Sequence, residues 1–171
     1  MSTYESHPDG VASESSAKGT KASIPDEFLE TLDMLGAPLF VLDRLPPGAP
    51  VENLIKGLYR APYGWPKFDA SGNEKRLATA TPGCGYGMVC GHLYDVIDVD
   101  PRNGGEASLR ILAGEGSIPR VHWVVKTTSD GWHLYIDPLN AGKHPGFMPG
   151  IDLQAAASFV FIPPTEGYRV A

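Results

Sequence analysis

At 171 residues, with 42% hydrophobic and 20% charged side chains, the chain has the size and composition of one globular domain with its own apolar core. No apolar run approaches the ~18 residues of a membrane span, no signal-peptide core opens the N-terminus, and two cysteines are too few for a disulfide scaffold; the expectation is a cytoplasmic protein that contacts no membrane. The net charge of −6 excludes a molecule coated in positive potential, but not a local basic groove.

Residues 1–22 are Ser, Gly, Glu and Lys with almost no large apolar residue, and read as a disordered tail. Order is expected from Ser23, a plausible N-cap followed by Pro25 and Asp26. Phe28, Leu29, Leu32 and Leu35 then fall on one helical face, and Gly36 ends the helix. PLFVLDRL (38–45) reads as a buried strand. A weak helix near 50–58 and a long loop through YRAPYGWPKFDASGN follow; a loop of that length inside a domain is usually functional or mobile.

Beyond it, β character dominates. YGMVCG (86–91) and LYDVIDVD (93–100) are strands, and EASLRILAG (106–114) is a helix after a Gly-Gly pair. VHWVVKTT (121–128) and WHLYIDP (132–138) flank Ser129-Asp130-Gly131, the signal of a hairpin. GIDL (150–153) and SFVFIPP (158–164) are expected to form a final strand pair. The order predicts an α+β domain on an antiparallel or mixed sheet.

Strand alternation puts Asp98 and Asp100 on one face of LYDVIDVD, with Ile97 and Val99 on the other. Two carboxylates that close push each other toward protonation unless a cation compensates, and Mg²⁺ or Mn²⁺ favours such oxygens. A bare D-x-D also fits two solvated acids at a strand end. His133 follows a turn that offers a hydroxyl and backbone N–H groups, which suits an anionic oxygen, although a strand histidine is more often only half-buried. Asp152, between Ile151 and Leu153, is a third acid in an apolar strand, alone more readily structural.

Together VIDVDPRNGG, TTSDGWHLYI and GIDLQAAASFVFIPP resemble the archaeo-eukaryotic primase superfamily, in its bifunctional primase-polymerase branch at the N-terminus of phage and plasmid replication proteins. The likeness runs from about residue 36 to 168. It implies a catalytic sheet like an RNA-recognition motif, an N-terminal αβ unit, and an active site in the cleft between them, all within residues 23–171. By motif match, Asp98, Asp100 and Asp152 would be catalytic and hold two divalent ions, Mg²⁺ or Mn²⁺. Ser129 and His133 would contact the triphosphate of an incoming dNTP or NTP. The reaction would join that nucleotide to a primer on a DNA template and release pyrophosphate.

The chain departs from the family pattern in places. Gln154 and Ala155 follow G-I-D where the family commonly has Arg and Gly, so a phosphate contact passes to Arg60, Lys67 or Lys126. Asp130 replaces a glycine of the turn and is expected to point outward. Cys84, Cys90 and His92 match no standard zinc spacing and read as buried thiols beside a histidine. Relatives often continue into a helical region and a helicase, so the chain reads as an excised piece that extends primers better than it starts them. Two other classes stay open: a DNA-binding replication module with a weak site, and a glycosyltransferase whose D-x-D binds a metal-diphosphate, which leaves SDGWH unexplained.

Overall fold

A computed structural model of the chain describes residues 27–48 and 58–171. The tail expected over 1–22 and the helix start at Ser23 lie outside these residues, as does the weak helix near 50–58 apart from Leu58, a turn residue. Phe28, Leu29 and Leu32 are buried on one side of α1 (Glu27–Met34). Gly36, at φ 82°, ends it, and the N–H of Ala37 reaches back to the Leu32 carbonyl at 2.9 Å. Leu35 therefore lies past the last turn and is exposed rather than sharing the buried face.

Two antiparallel sheets follow. The smaller has the order β2 (Tyr59–Arg60), β1 (Leu39–Arg44), β3 (Gly85–Val89), β9 (Phe159–Ile162). The larger runs β10 (Arg169–Val170), β5 (Val121–Lys126), β6 (Trp132–Ile136), β4 (Asp95–Val99), β8 (Ile151–Gln154), β7 (His144–Met148). Strands β4 and β5 are each antiparallel to β6, hence parallel to one another, and α3 (Gly105–Gly114) joins them across the inserted strand. This is a split βαβ unit.

Neighbours in sequence are thus parted in space. The expected pairing of GIDL with SFVFIPP does not form: β8 pairs with β4, and β9 pairs with β3 in the other sheet. Burial is the reason. Val160, Phe161 and Ile162 fill one core with Leu39, Phe40 and Met88 from the smaller sheet and Val96, Val125 and Tyr135 from the larger. A second core lies on the other side, where Ile97, Val99, Leu134 and Ile136 meet Leu112 of α3. Each fully buried Leu, Ile or Phe contributes about 1.5–3 kcal/mol, so a register slip in β4, which would exchange its two faces, is strongly disfavoured.

The long loop is more ordered than expected. It holds two 3₁₀ turns and α2 (Asn73–Leu77). Asn73 is buried and fastens the segment: its Oδ1 accepts from the Leu39 N–H at 2.9 Å, and its Nδ2 donates to the Ala37 carbonyl at 2.8 Å. Phe68 and Trp65 pack against Phe40.

Candidate active site

Alternation along β4 settles where the acids go. Val96 faces the core between the sheets and Ile97 and Val99 face α3, so Asp98 shares the Val96 side, toward the smaller sheet. The register then decides its neighbours. Asp98 stands opposite His133 on β6 and opposite Asp152 on β8. Directly opposed residues share a face, so Asp152, Asp98 and His133 form one row across three adjoining strands. Oδ1 of Asp98 lies 3.7 Å from Nε2 of His133, within ion-pair range of a protonated imidazole. His133 is buried and lies against the Tyr168 ring, with centroids 5.9 Å apart. One oxygen of Asp152 accepts from the Gly146 N–H at 2.6 Å.

Asp100 directly follows β4 and caps the 3₁₀ turn Pro101–Asn103. Its carboxylate accepts from Nε and Nη2 of Arg102, each at 3.0 Å, from the Arg102 N–H at 3.0 Å, and from Asn103 Nδ2 at 2.9 Å. The hydrogen bonds from the Arg102 side chain, with its charge behind them, hold the Asp100 carboxyl below the ordinary carboxylate range.

Glycines let the three motifs close on the end of β4. Gly150 has φ 69°, and a Cβ there would sit 2.3 Å from the Gly105 N, so the entry to β8 passes directly over the start of α3. Its carbonyl accepts from the Asp100 N–H at 2.8 Å. At Gly131 a Cβ would meet the Val99 carbonyl oxygen at 2.3 Å, so the hairpin turn presses against the same strand end. Gly105, Gly131 and Gly150 are close-approach positions.

A cavity of about 270 Å³ is bordered by Asp98, Asp100, Asp152, Arg102, Thr127 and Ser129. Another, of about 380 Å³, has Asp98, His133 and Gln154 on the larger sheet, Phe159 and Phe161 on the smaller one, and Lys143 and Trp65 at its margin. Asp98 borders both. The structure thus gathers Asp98, Asp100, Asp152 and Ser129 around one cavity and puts Asp98 with His133 at the next. Ser129 sits in the turn with its hydroxyl 3.2 Å from that of Thr127.

Arg60 and Lys67 border neither cavity. Arg60 is exposed on β2 and pairs with Asp43 at 3.1 Å, and Lys67 closes the 3₁₀ turn at Trp65. Asp130, at φ 59°, does point outward: its side chain is 89% exposed and meets Lys126 at 3.2 Å. Cys84 and Cys90 are buried free thiols, and burial pushes the Cys90 thiol up to about 12. Sequence reasoning missed Arg102, Lys143 and Trp65. Arg102 carried a signal, since Asp-Pro-Arg is the pattern of a capped turn that returns the arginine to the aspartate. Lys143 carried none, because only the tertiary fold brings its loop beside β4.

The donor set fits a hard divalent ion by its chemistry. Three carboxylates border one cavity, and Asp98 opposite Asp152 is a like-charge cross-strand pair that is unfavourable without a cation. Among the described residues no three such side chains converge on a single ion position, and Asp100 is held by Arg102.

The family model for the N-terminal domain of bifunctional DNA primase/polymerases (Prim-Pol) matches residues 29–171. Comparison with curated proteins finds no match. The matched span begins inside α1 and takes in both sheets together with the D-x-D, hairpin and G-I-D segments, so the chain belongs to the bifunctional DNA primase/polymerase family.

Proposed function

We propose that residues 23–171 form a catalytic domain that extends a primer on a DNA template, with Asp98, Asp100 and Asp152 holding two divalent ions and Ser129 and His133 at the triphosphate of the incoming nucleotide. Family membership carries the broader statement, a nucleotidyltransferase of DNA primase/polymerase type that acts on nucleotides and a DNA template. The observation that carries the finer one is the register that aligns Asp152, Asp98 and His133 in one row. The order β5-β6-β4-β8 around a split βαβ unit supports reading the larger sheet as RNA-recognition-motif-like. The cavity between β6 and β9 supports a site in the cleft between the sheets.

In this reading the primer 3′-hydroxyl attacks the α-phosphorus, the bond to the β-phosphate oxygen breaks, and pyrophosphate leaves. Bound divalent ions supply charge stabilisation at the attacking and leaving oxygens. The chain's own residues bind and orient. His133 donates a ring N–H to a phosphate oxygen, and its burial against Tyr168 fixes the ring plane. Ser129 donates its hydroxyl from the turn that Gly131 holds against β4. Lys143, beside Asp98 and His133, adds a cation for the triphosphate. Trp65 and Phe159 supply apolar surface on one wall of the cavity. The phosphate contacts expected of Arg60 and Lys67 fall in this arrangement to Lys143 and Arg102.

Starting a chain asks more than extending one. A second free nucleotide loses its translational and rotational freedom without a duplex end to stack on, at a cost of several kcal/mol. Primer extension is therefore expected to be the stronger of the two activities. A second reading, a DNA-binding replication module with weak catalysis, is favoured by the grip of Arg102 on Asp100. Labelled primer extension with Mn²⁺ separates the two. Turnover that Asp98→Ala and Asp100→Ala each abolish supports the polymerase; DNA binding without turnover supports the module.

A further inference from the structure

A third cavity, of about 530 Å³, is bordered by Lys126, Thr127, Thr128 and Asp130 of the hairpin, and it shares Thr127 with the cavity of the acids. Three cations from three strands border it: Arg44 of β1, Lys126 of β5 and Arg169 of β10. Lys126 and Arg169 are direct cross-strand partners. Like charges so placed are unfavourable unless an anion answers them. It is the counterpart, with opposite sign, of Asp98 facing Asp152. In a chain of net charge −6 this concentration stands against the general field.

Two exposed acids answer the cations in part. Glu166 meets Arg44 at 2.9 Å with its side chain 75% exposed, and Asp130 meets Lys126 at 3.2 Å. Exposed pairs of this kind contribute little and are readily exchanged for a better anion. Tyr59, Phe161 and Tyr168, all buried core residues, close the bottom of the cavity, with Phe161 and Tyr168 stacked at 5.6 Å. Cations gathered along a groove are the elements that hold the sugar-phosphate backbone of a single nucleic-acid strand.

We propose that this cavity binds the sugar-phosphate backbone of the single-stranded template, with Asp130 and Glu166 as built-in competitors that keep the hold weak. The inference rests on the polymerase reading for the word template. The binding itself does not, and it can be measured without catalysis. Thr127, two residues before Ser129 in the same hairpin, borders both this cavity and the one with the acids.

The test is fluorescence anisotropy of a labelled dT oligonucleotide in EDTA, across a salt series. Lys126→Ala and Arg169→Ala should each weaken binding about 5-fold or more and lower the salt slope by about 0.7. Arg60→Ala and Lys67→Ala, exposed cations away from the cavity, should change neither. Glu166→Gln and Asp130→Asn should tighten binding, a gain that misfolding does not produce. Equal losses at all four cations would overturn the proposal. So would cavity variants that weaken binding of a labelled dATP and leave the oligonucleotide unaffected, which would mark a triphosphate site. Because EDTA removes divalent ions, a failed primer extension leaves this result intact.

Discussion

Arg102 grips Asp100 with its fork: Nε meets one carboxylate oxygen and Nη2 the other, each at 3.0 Å. Pro101 sets the turn that returns the arginine, and Asn103 adds a further donor at 2.9 Å. One of the three acids expected from the sequence to hold a cation is thus already answered by the arginine two residues on. Bidentate geometry makes the contact specific, but the Arg102 side chain is 68% exposed and free to leave.

This pair has a pH signature. A carboxyl whose folded pKa is depressed adds stability above its unfolded pKa and loses it as pH falls through the folded value. Asp100 is depressed, chiefly by the Arg102 hydrogen bonds. It should therefore titrate below an ordinary aspartate. An NMR titration of the Asp100 carboxyl carbon reads this directly, and in Arg102→Ala the midpoint should move up.

The same variant tests the metal. With Arg102 gone, Asp100 is available to a divalent ion without exchange of partners, so Mn²⁺ should bind Arg102→Ala more tightly than wild type. Electron paramagnetic resonance of free Mn²⁺ measures it. Unchanged or weaker affinity would remove Asp100 from the ligand set.

For His133, the proposed partner is a phosphate oxygen. His133→Gln should weaken dNTP binding about 10-fold, the order of one hydrogen bond to a charged group. Mn²⁺ affinity in the absence of nucleotide should not follow. An equal loss of both would place the imidazole at the cation instead.

Gly150 is a stability prediction independent of catalysis. Gly150→Ala forces a Cβ into backbone at a positive φ, at a cost of about 1–3 kcal/mol. Thermal melting should fall by ~2–4 °C per kcal/mol. Gly114→Ala, inside α3 with open space around its Cβ, should leave the melting temperature unchanged or raise it.

Local chemistry made much of this protein legible from its sequence. The face of α1 at Phe28, Leu29 and Leu32, the hairpin around Asp130-Gly131 and the helix after Gly104-Gly105 are set by spacing and turn residues within a few positions of one another. Asp98, Asp152 and His133 stood out for the same reason, as polar groups set in apolar strands. What they are to one another was decided elsewhere. Cross-strand register depends on which faces are buried against which sheet, a long-range balance that no window of residues contains. That balance parted GIDL from SFVFIPP, placed β8 beside β4, and so put Asp152 opposite Asp98. It also brought Lys143 to the site and left Arg60 and Lys67 outside, because a lysine or arginine in a loop carries no local mark of the cavity it will border.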